Sequence, residues 1–232
     1  AYNAIGNITN KSDLNSSTTP NYFYPTSGQG PHAVFGIDDD QKGYAFTYDV
    51  NGNMLTGRDF QNNQSRSIDW YSYNKPSQIS EGGKSLALAY DTYRDKVKQV
   101  YTSGIYAKET EYIGSIFEKV INNKGSLPPG PVEHKYYIYG SGSHPVAMYA
   151  TSTSGTSHVR YFHYDNLGSV DLITNETAGV VEDLSYDPHG ARRNADWTVA
   201  TSTVSSLTAH GFTNHEHLDE FGLIDMKGRM YD

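Results

Sequence analysis

The sequence predicts an all-β protein, a curved or spiralling sheet of antiparallel β-hairpins that repeat along the chain. Three observations support this prediction. A Tyr-Asp step followed by a glycine ends one strand and starts a turn, strands of alternating polarity lie between these steps, and the steps recur roughly every 23 residues, as in repeat architectures. The 232 residues include 20 Tyr and 22 Gly but are only 36% apolar. This composition favours stacked repeats over one thick core.

The clearest period covers residues 161–190. An aromatic strand reaches Tyr164, a polar turn and an apolar run follow, and a second turn over residues 175–179 leads to a strand that ends at Tyr186. Tyrosine suits a half-buried pleated surface, and Asp or Asn followed by Gly supplies turn conformations that bulky residues resist. The corner residues that this pattern assigns are Tyr48, Asp49, Gly52, Tyr90, Asp91, Tyr164, Asp165, Gly168, Tyr186, Asp187 and Gly190.

In chain order, a degenerate repeat at residues 2–7 precedes a turn-rich connector at residues 15–21. Gly, Pro, Asn and Asp then bound a series of segments, several of which alternate with the period of a sheet that has two unlike faces. The predicted strands are residues 33–37, 44–48, 53–58, 67–73, 77–80, 85–90, 96–101, 133–139, 145–150, 158–164, 170–174 and 180–186.

Residues 105–121 are the one segment where a helix competes, because Tyr112, Ile116, Phe117 and Val120 would share a helical stripe. Gly114 interrupts that helix, so we predict two strands joined at this glycine. Residues 122–131 contain too many Pro and Gly for either element and predict a protruding loop. Residues 191–210 break the repeat register and predict a longer excursion.

Bulk properties exclude several classes of protein. The net charge of -8 argues against nucleic acid as a partner, since such proteins carry a basic stripe. No apolar run approaches the roughly 20 residues that span a bilayer, and the lack of cysteine excludes disulfides and thiolate chemistry. The chain opens in mid-repeat, so we expect it to be part of a longer polypeptide, and we expect no cofactor.

His215-Glu216-His217 is the most tempting metal candidate. The two histidines are two residues apart and share one face of a strand, whereas the zincin pattern places them four apart on a helix. Two further ligands would have to come from elsewhere, so we predict a polar stretch that ties the tail onto the sheet and no metal. Asp38-Asp39-Asp40 lacks the alternating ligands of a calcium loop, and no nucleophile elbow, phosphate loop or dinucleotide fingerprint is present.

The aromatic residues leave two functions open. Corner tyrosines that stack between neighbouring hairpins would hold together a sheet with little aliphatic core. Alternatively, exposed Tyr and Trp rows could stack on sugar rings in a carbohydrate-binding or adhesive cell-surface module, with glycans as partners.

The Tyr-Asp-x-x-Gly corners at residues 48–52 and 186–190 resemble the YD repeat of the Rhs family. The order of Tyr164 to Val170, Tyr186 to Gly190 and then residues 211–232 is similar to the start of the Rhs-associated core. We therefore divide the chain into a YD-repeat sheet at residues 1–210 and the start of the core motif at residues 211–232. The core-motif residues are Gly211, Phe212, His215, Glu216, Gly222, Gly228, Arg229, Tyr231 and Asp232.

This resemblance implies a sheet that spirals into a hollow shell, as in bacterial Rhs proteins, the C components of Tc toxins and, distantly, teneurins. Such shells enclose a variable C-terminal toxin, and an aspartyl self-cleavage site follows the core motif in that family. We carry over no catalytic residue, because the sequence stops at Asp232. We expect a non-enzymatic wall segment in a secreted or cell-surface bacterial protein, with the rest of the same polypeptide, a toxin cargo or further copies joined through open sheet edges as partners.

Overall fold

The structure is a computed structural model. It describes residues 1–11, 21–25, 30–38, 43–59, 63–126, 128, 130–198, 200, 204, 206–227 and 230–231. Within these residues it contains 21 strands and two three-residue 3₁₀ helices, at Phe212–Asn214 and Asp219–Phe221. The predicted all-β fold is therefore confirmed. None of the helices in this described part is long and apolar enough to cross a membrane.

The strands are β1 (Tyr22–Phe23), β2 (Gly36–Asp38), β3 (Gly43–Ala45), β4 (Thr47–Tyr48), β5 (Met54–Asp59), β6 (Gln64–Trp70), β7 (Pro76–Glu81), β8 (Lys84–Tyr90), β9 (Lys96–Ser103), β10 (Tyr106–Ile113), β11 (Phe117–Ile121), β12 (Val132–Tyr139), β13 (Pro145–Ser152), β14 (Ser157–Tyr164), β15 (Val170–Thr174), β16 (Val180–Asp183), β17 (Ser185–Tyr186), β18 (Arg192–Arg193), β19 (Glu216–Leu218), β20 (Leu223–Asp225) and β21 (Met230–Tyr231). Strands β4 to β16 follow one another in chain order in a 13-stranded sheet. Smaller sheets are formed by β1 to β3, by β17 with β18, and by β19 to β21.

The chain divides into two compact units, residues 1–85 and 86–232, with the division inside β8. In the first unit, β1 to β3 form an antiparallel sheet, and β5 pairs with β4 and β6. Burial alternates along β6, where Arg66 and Ile68 are buried between exposed neighbours. Gly82 and Gly83 join β7 to β8 with positive φ angles of 56° and 81°, the backbone that a tight hairpin turn requires.

In the second unit, β9 to β16 form an antiparallel ladder in which each strand pairs with the next. Strands β10 and β11 meet at Gly114, so the predicted strand pair is confirmed and the competing helix is absent from residues 105–121. The core of this unit consists of Tyr137, Met148, Phe162, Val170, Ile173 and Leu184.

Several strand boundaries differ from the prediction: the strand predicted at residues 33–37 lies at Gly36–Asp38, and the one predicted at residues 44–48 is divided between β3 and β4. The strand predicted at residues 67–73 ends at Trp70, because the N–H of Tyr71 donates to the carbonyl of Lys75 and closes a turn. The strand predicted at residues 180–186 breaks at the buried Leu184, after which β17 pairs with β18. Asp39 and Asp40 of the acidic run lie outside the described residues, as do residues 127 and 129 of the predicted loop.

Candidate functional site

The Tyr-Asp corners form a five-residue turn with a fixed hydrogen-bond pattern. At residues 165–169, Asp165 Oδ1 accepts the N–H groups of Leu167 and Ser169, both at 2.8 Å. The N–H of Asp165 donates to the carbonyl of Ser169, and the N–H of Gly168 donates to the carbonyl of Asp165. Gly168 has a φ of 82°, which explains glycine at the fourth position. One aspartate thus satisfies two backbone donors and closes the turn.

The same side-chain pattern recurs at other corners. The first residue of each turn accepts N–H groups from the third and fifth residues, and the fourth residue has a positive φ. The turns are residues 3–7, 49–53, 91–95, 175–179 and 187–191, which open with Asn3, Asp49, Asp91, Asn175 and Asp187. Asparagine and aspartate are interchangeable here because both present a side-chain oxygen. This pattern also explains why Ala178 and Arg94 adopt a positive φ where other corners have glycine.

At three corners, the tyrosine before the aspartate is hydrogen-bonded to an earlier part of the chain. The hydroxyl of Tyr164 donates to the carbonyl of Pro145 at 2.6 Å. Equivalent bonds join Tyr48 to Val34, Tyr139 to Ser115 and Tyr186 to Val170. At the corner at residue 70, the indole Nε1 of Trp70 donates to the carbonyl of Met54 at 2.8 Å. Tyr48, Tyr164 and Tyr186 therefore reach the backbone of an earlier strand or loop, a contact that differs from the ring stacking expected from the sequence.

Burial raises the pKa of the phenol groups of Tyr48, Tyr164 and Tyr186 above the usual value. The ring of Tyr164 stacks on His144, while that of Tyr186 packs against Phe212 and His217.

The start of the core motif packs against the corner at residues 165–169 within the second unit. The N–H of Val170 donates to the carbonyl of Gly211 at 3.1 Å, and the N–H of Thr213 donates to the hydroxyl of Ser169. A Cβ added to Gly211 would lie 2.6 Å from the ring of His217, so this close approach requires glycine. The motif and the corner at residues 165–169 therefore form one packed unit.

The two histidines of the motif are engaged within the chain. His217 Nε2 accepts the N–H of Phe212 at 2.9 Å, which leaves the proton on Nδ1, 3.7 Å from Asp219 Oδ1. Burial lowers the pKa of His217 to about 3, so the ring is neutral and this contact is no ion pair. His215 Nδ1 lies 2.8 Å from the hydroxyl of Thr213. Within the described residues, no group of three or more His, Asp or Glu side chains could hold a metal ion.

Arg192 joins β18 to the motif. Its Nε donates to Asp219 Oδ1 at 3.0 Å, and its side chain is 3% exposed. Nη2 donates to the carbonyls of Thr208 and Ala209 at 3.3 and 3.4 Å, and the guanidinium lies 5.8 Å from the ring centroid of Tyr186. Burial raises the pKa of Asp219, and the positive charge of Arg192 opposes that shift. The arginine therefore holds the motif against the corner tyrosine.

A second polar cluster lies between the motif and the sheet strands β9 to β11. Lys96 Nζ donates to Glu216 Oε2 at 2.6 Å and to Asp225 Oδ2 at 2.9 Å, and the hydroxyl of Tyr112 donates to Glu216 Oε1 at 2.7 Å. Burial alone would lower the pKa of Lys96, but the two carboxylates together raise it. Glu118, 8% exposed and hydrogen-bonded to a buried tyrosine, has its pKa raised by burial.

The remaining motif residues are less informative. Gly222 follows the second 3₁₀ helix with a φ of 62°, as a left-handed cap requires. Tyr231 lies in β21 and is 36% exposed. Gly228, Arg229 and Asp232 lie outside the described residues.

Sequence reasoning missed the residues that receive the motif. Lys96, Tyr112 and Glu118 lie about a hundred residues before Glu216 or Asp225, so no local spacing connects them. Their only sequence signal is a charged or polar side chain at a strand position where alternation predicts burial.

The fold and these contacts define a class of protein: an antiparallel β-hairpin repeat protein whose C-terminal segment packs against the large sheet of the same chain. No protein-family profile and no curated protein matches the sequence. Among solved structures, the chain is similar to a chain of the TcdB2-TccC3-Cdc42 complex, with a TM-score of 0.61 and 14% identity over 90% of this chain.

Two further similar structures are the TcdB2-TccC3 complex, with a TM-score of 0.57 and 13% identity, and the Tc holotoxin pore of Photorhabdus luminescens, with a TM-score of 0.55 and 12% identity. Each match covers 82% of this chain. The chain spans 11%, 12% and 11% of the three matched chains. At these identities the likeness shows a shared fold.

Proposed function

We propose that the chain is a wall segment of an Rhs/YD-repeat shell that encloses or presents a C-terminal toxin, in a secreted or cell-surface bacterial protein. One observation carries the proposal. Hairpins that follow one another in chain order build the sheet, and the same fold recurs over 90% of this chain in a chain of the TcdB2-TccC3-Cdc42 complex. The role is mechanical, and it assigns no catalytic residue, cofactor or metal.

The corner geometry supports a mechanical role. A wall one sheet thick must hold its strands in register although the sequence is only 36% apolar. The aspartate closes each turn, and the tyrosine hydroxyl satisfies a carbonyl of an earlier strand or loop, as Tyr164 does for Pro145. Each hairpin is thereby fixed to its predecessor without a thick core, as in other repeat proteins.

The second unit has two unlike faces, as a wall requires. The core motif covers one face, where Lys108 pairs with Glu220 at 2.6 Å and Tyr101 meets Phe221 edge to face. The opposite face exposes aromatic side chains, and the rings of the cross-strand pair Tyr136 and Tyr149 stack at 6.2 Å. One face is thus covered by the core motif, whereas the other exposes aromatic side chains within the part of the chain that the structure describes.

Open sheet edges supply the first test. Strand β16 ends the strand order of the large sheet, and its Val180 is 64% exposed. Such edges pair with other strands unless a charge blocks them. We expect the isolated chain to self-associate in size-exclusion chromatography with light scattering, and Val180→Lys to shift it towards the monomer. A strictly monomeric wild type at all concentrations would contradict the open edge.

The native protein supplies the decisive test. Intact mass and electron microscopy of the polypeptide from its source should show a longer chain that forms a hollow β-shell. A short epitope inserted at Tyr93, which is 86% exposed in its turn, should place a bound antibody on the wall. A native protein that consists of these 232 residues and remains monomeric would refute the proposal.

A further inference from the structure

The last corners of the chain enclose a groove of about 300 Å³ whose walls are of two kinds. Its lining includes the apolar or aromatic side chains of Leu184, Tyr186 and Phe212. The charged side chains of Asp171 and Arg193 and the indole of Trp197 also line it. This volume is at the lower end of the range for small-molecule sites.

Trp197 is unusual in its position. It is the fourth residue of the turn at residues 194–198, with a φ of 68°, and it is 70% exposed. Gly52, Gly168 and Gly190 occupy this position in three other turns, and Arg94 and Ala178 occupy it in two more, although a left-handed backbone is unfavourable for a large side chain. Trp197 thus presents an exposed indole beside the groove, at a turn position where glycine is common.

The charged groups of the groove are available. Across the part of the chain that the structure describes, neither the carboxylate of Asp171 nor the guanidinium of Arg193 has a hydrogen-bond or ion-pair partner. Arg193 contrasts with the adjacent Arg192, which contacts Asp219 of the core motif and the carbonyl of Thr208. The groove therefore combines a flat aromatic face with one free acceptor group and one free donor group.

We propose that this groove binds a neutral saccharide, with a pyranose ring stacked on Trp197 and its hydroxyls hydrogen-bonded to Asp171 and Arg193. An indole face complements the apolar face of a sugar ring, and hydrogen bonds to charged groups are stronger than neutral ones. A purely apolar ligand would cover both charged groups without giving them partners, which is costly.

The net negative charge of the groove favours neutral over acidic sugars. Three aspartates and one arginine line the groove, so an acidic sugar would meet net repulsion. Asp165 and Asp187 already accept backbone N–H groups within their turns, which leaves Asp171 as the carboxylate that contacts the ligand. The proposal is independent of the wall function, because it concerns only this groove.

Indole fluorescence tests the proposal directly. The sequence has two tryptophans, so Trp70→Phe leaves Trp197 as the sole reporter in the full chain. Titration with cellobiose, lactose, maltose and diacetylchitobiose should give, for at least one of them, a saturable change in emission. The response to lactose should exceed that to sialyllactose if lactose binds.

Variants separate recognition from folding. By calorimetry, Asp171→Asn and Arg193→Gln should each weaken binding about tenfold or more, the effect of losing a hydrogen bond to a charged group. Trp197→Ala should abolish binding, and Trp197→Phe should retain part of it, because a smaller aromatic face remains. Tyr93→Ala removes an equally exposed aromatic from another turn and should leave binding unchanged; circular dichroism verifies that each variant is folded.

Three results would overturn the proposal. The first is that none of the four disaccharides changes the emission at tens of millimolar. The second is that Trp197→Ala binds as tightly as the wild type. The third is that an apolar peptide rather than a sugar changes the emission, which would make this groove a peptide site.

Discussion

Replacing Asp165 with alanine removes the acceptor on which its turn depends. Asp165 Oδ1 accepts two N–H groups, and these differ in surroundings: that of Leu167 is exposed, whereas that of Ser169 belongs to a residue that is 1% exposed. In the alanine variant, water can replace the carboxylate as acceptor for the N–H of Leu167. The buried N–H of Ser169 has no such substitute, so it has no acceptor in the folded variant, whereas water binds it in the unfolded chain.

The expected cost is about 1–2 kcal/mol, the range for removing a side-chain acceptor from backbone donors at a helix N-cap. For a chain of this size, that corresponds to a fall in Tm of roughly 2–8 °C. The chain offers a matched control, because Asn175 holds the turn at residues 175–179 through the same two hydrogen bonds. Asp165→Asn should therefore cost less than about 0.5 kcal/mol.

Urea-induced unfolding, followed by circular dichroism for the wild type, Asp165→Ala and Asp165→Asn, measures these differences. If asparagine costs as much as alanine, the charge of Asp165 matters more than its oxygen, and the backbone-acceptor argument is wrong.

Three further predictions follow from the corners and the core motif. Tyr164→Phe should cost about 1 kcal/mol in urea unfolding, because a carbonyl loses its donor, while Tyr93→Phe on an exposed turn should cost nothing measurable. Gly190→Ala should cost about 3 kcal/mol or more, since its Cβ would lie 2.7 Å from a ring carbon of Phe212 and φ is 94°. As a control, Gly52→Ala should cost only about 1 kcal/mol, because φ is 83° but no atom lies close to the added Cβ. Equal costs for the two variants would refute the steric argument. His217 has a pKa of about 3 in the folded chain against roughly 6.5 unfolded, so the unfolded state binds the extra proton and stability falls as pH falls through that window. His217→Gln should flatten this slope by up to about 1.4 kcal/mol per pH unit, and an unchanged slope between pH 4 and 6 would assign the titration to another group.

The turns could be predicted from the sequence because their hydrogen bonds are local. Asp49 and Asp187 contact N–H groups only two and four residues away, and a glycine marks the fourth position in each turn. The turn at residues 194–198 was missed, since Trp197 occupies that position and gives no such signal. There, as in the other corners, the N–H of Asn194 donates to the carbonyl of Thr198, and the N–H of Trp197 donates to the carbonyl of Asn194.

The long-range contacts could not be predicted. Lys96 and Glu216 are 120 residues apart, and their pairing depends on the core motif lying on the same face of the sheet as β9. The sequence predicts that the histidine stretch ties the tail onto the sheet, but it does not predict that Glu216 and Asp225 contact Lys96. Arg192 and Arg193 are a second example. Strand alternation predicts that their side chains lie on opposite faces, but only the fold shows that Arg192 is buried with Asp219 while Arg193 lines a groove.

The corner contacts imply that stability is local along most of the chain. A turn aspartate contacts its own turn, and a tyrosine contacts an earlier hairpin, so each corner should contribute a similar free energy wherever it lies. The core motif is the exception, because Glu216, Glu220 and Thr213 reach β9, β10 and the corner before β15. Loosening the motif should therefore lower the stability of several strands of the second unit at once. We conclude that the repeats set the shape of each hairpin, while the motif makes the second unit cooperative.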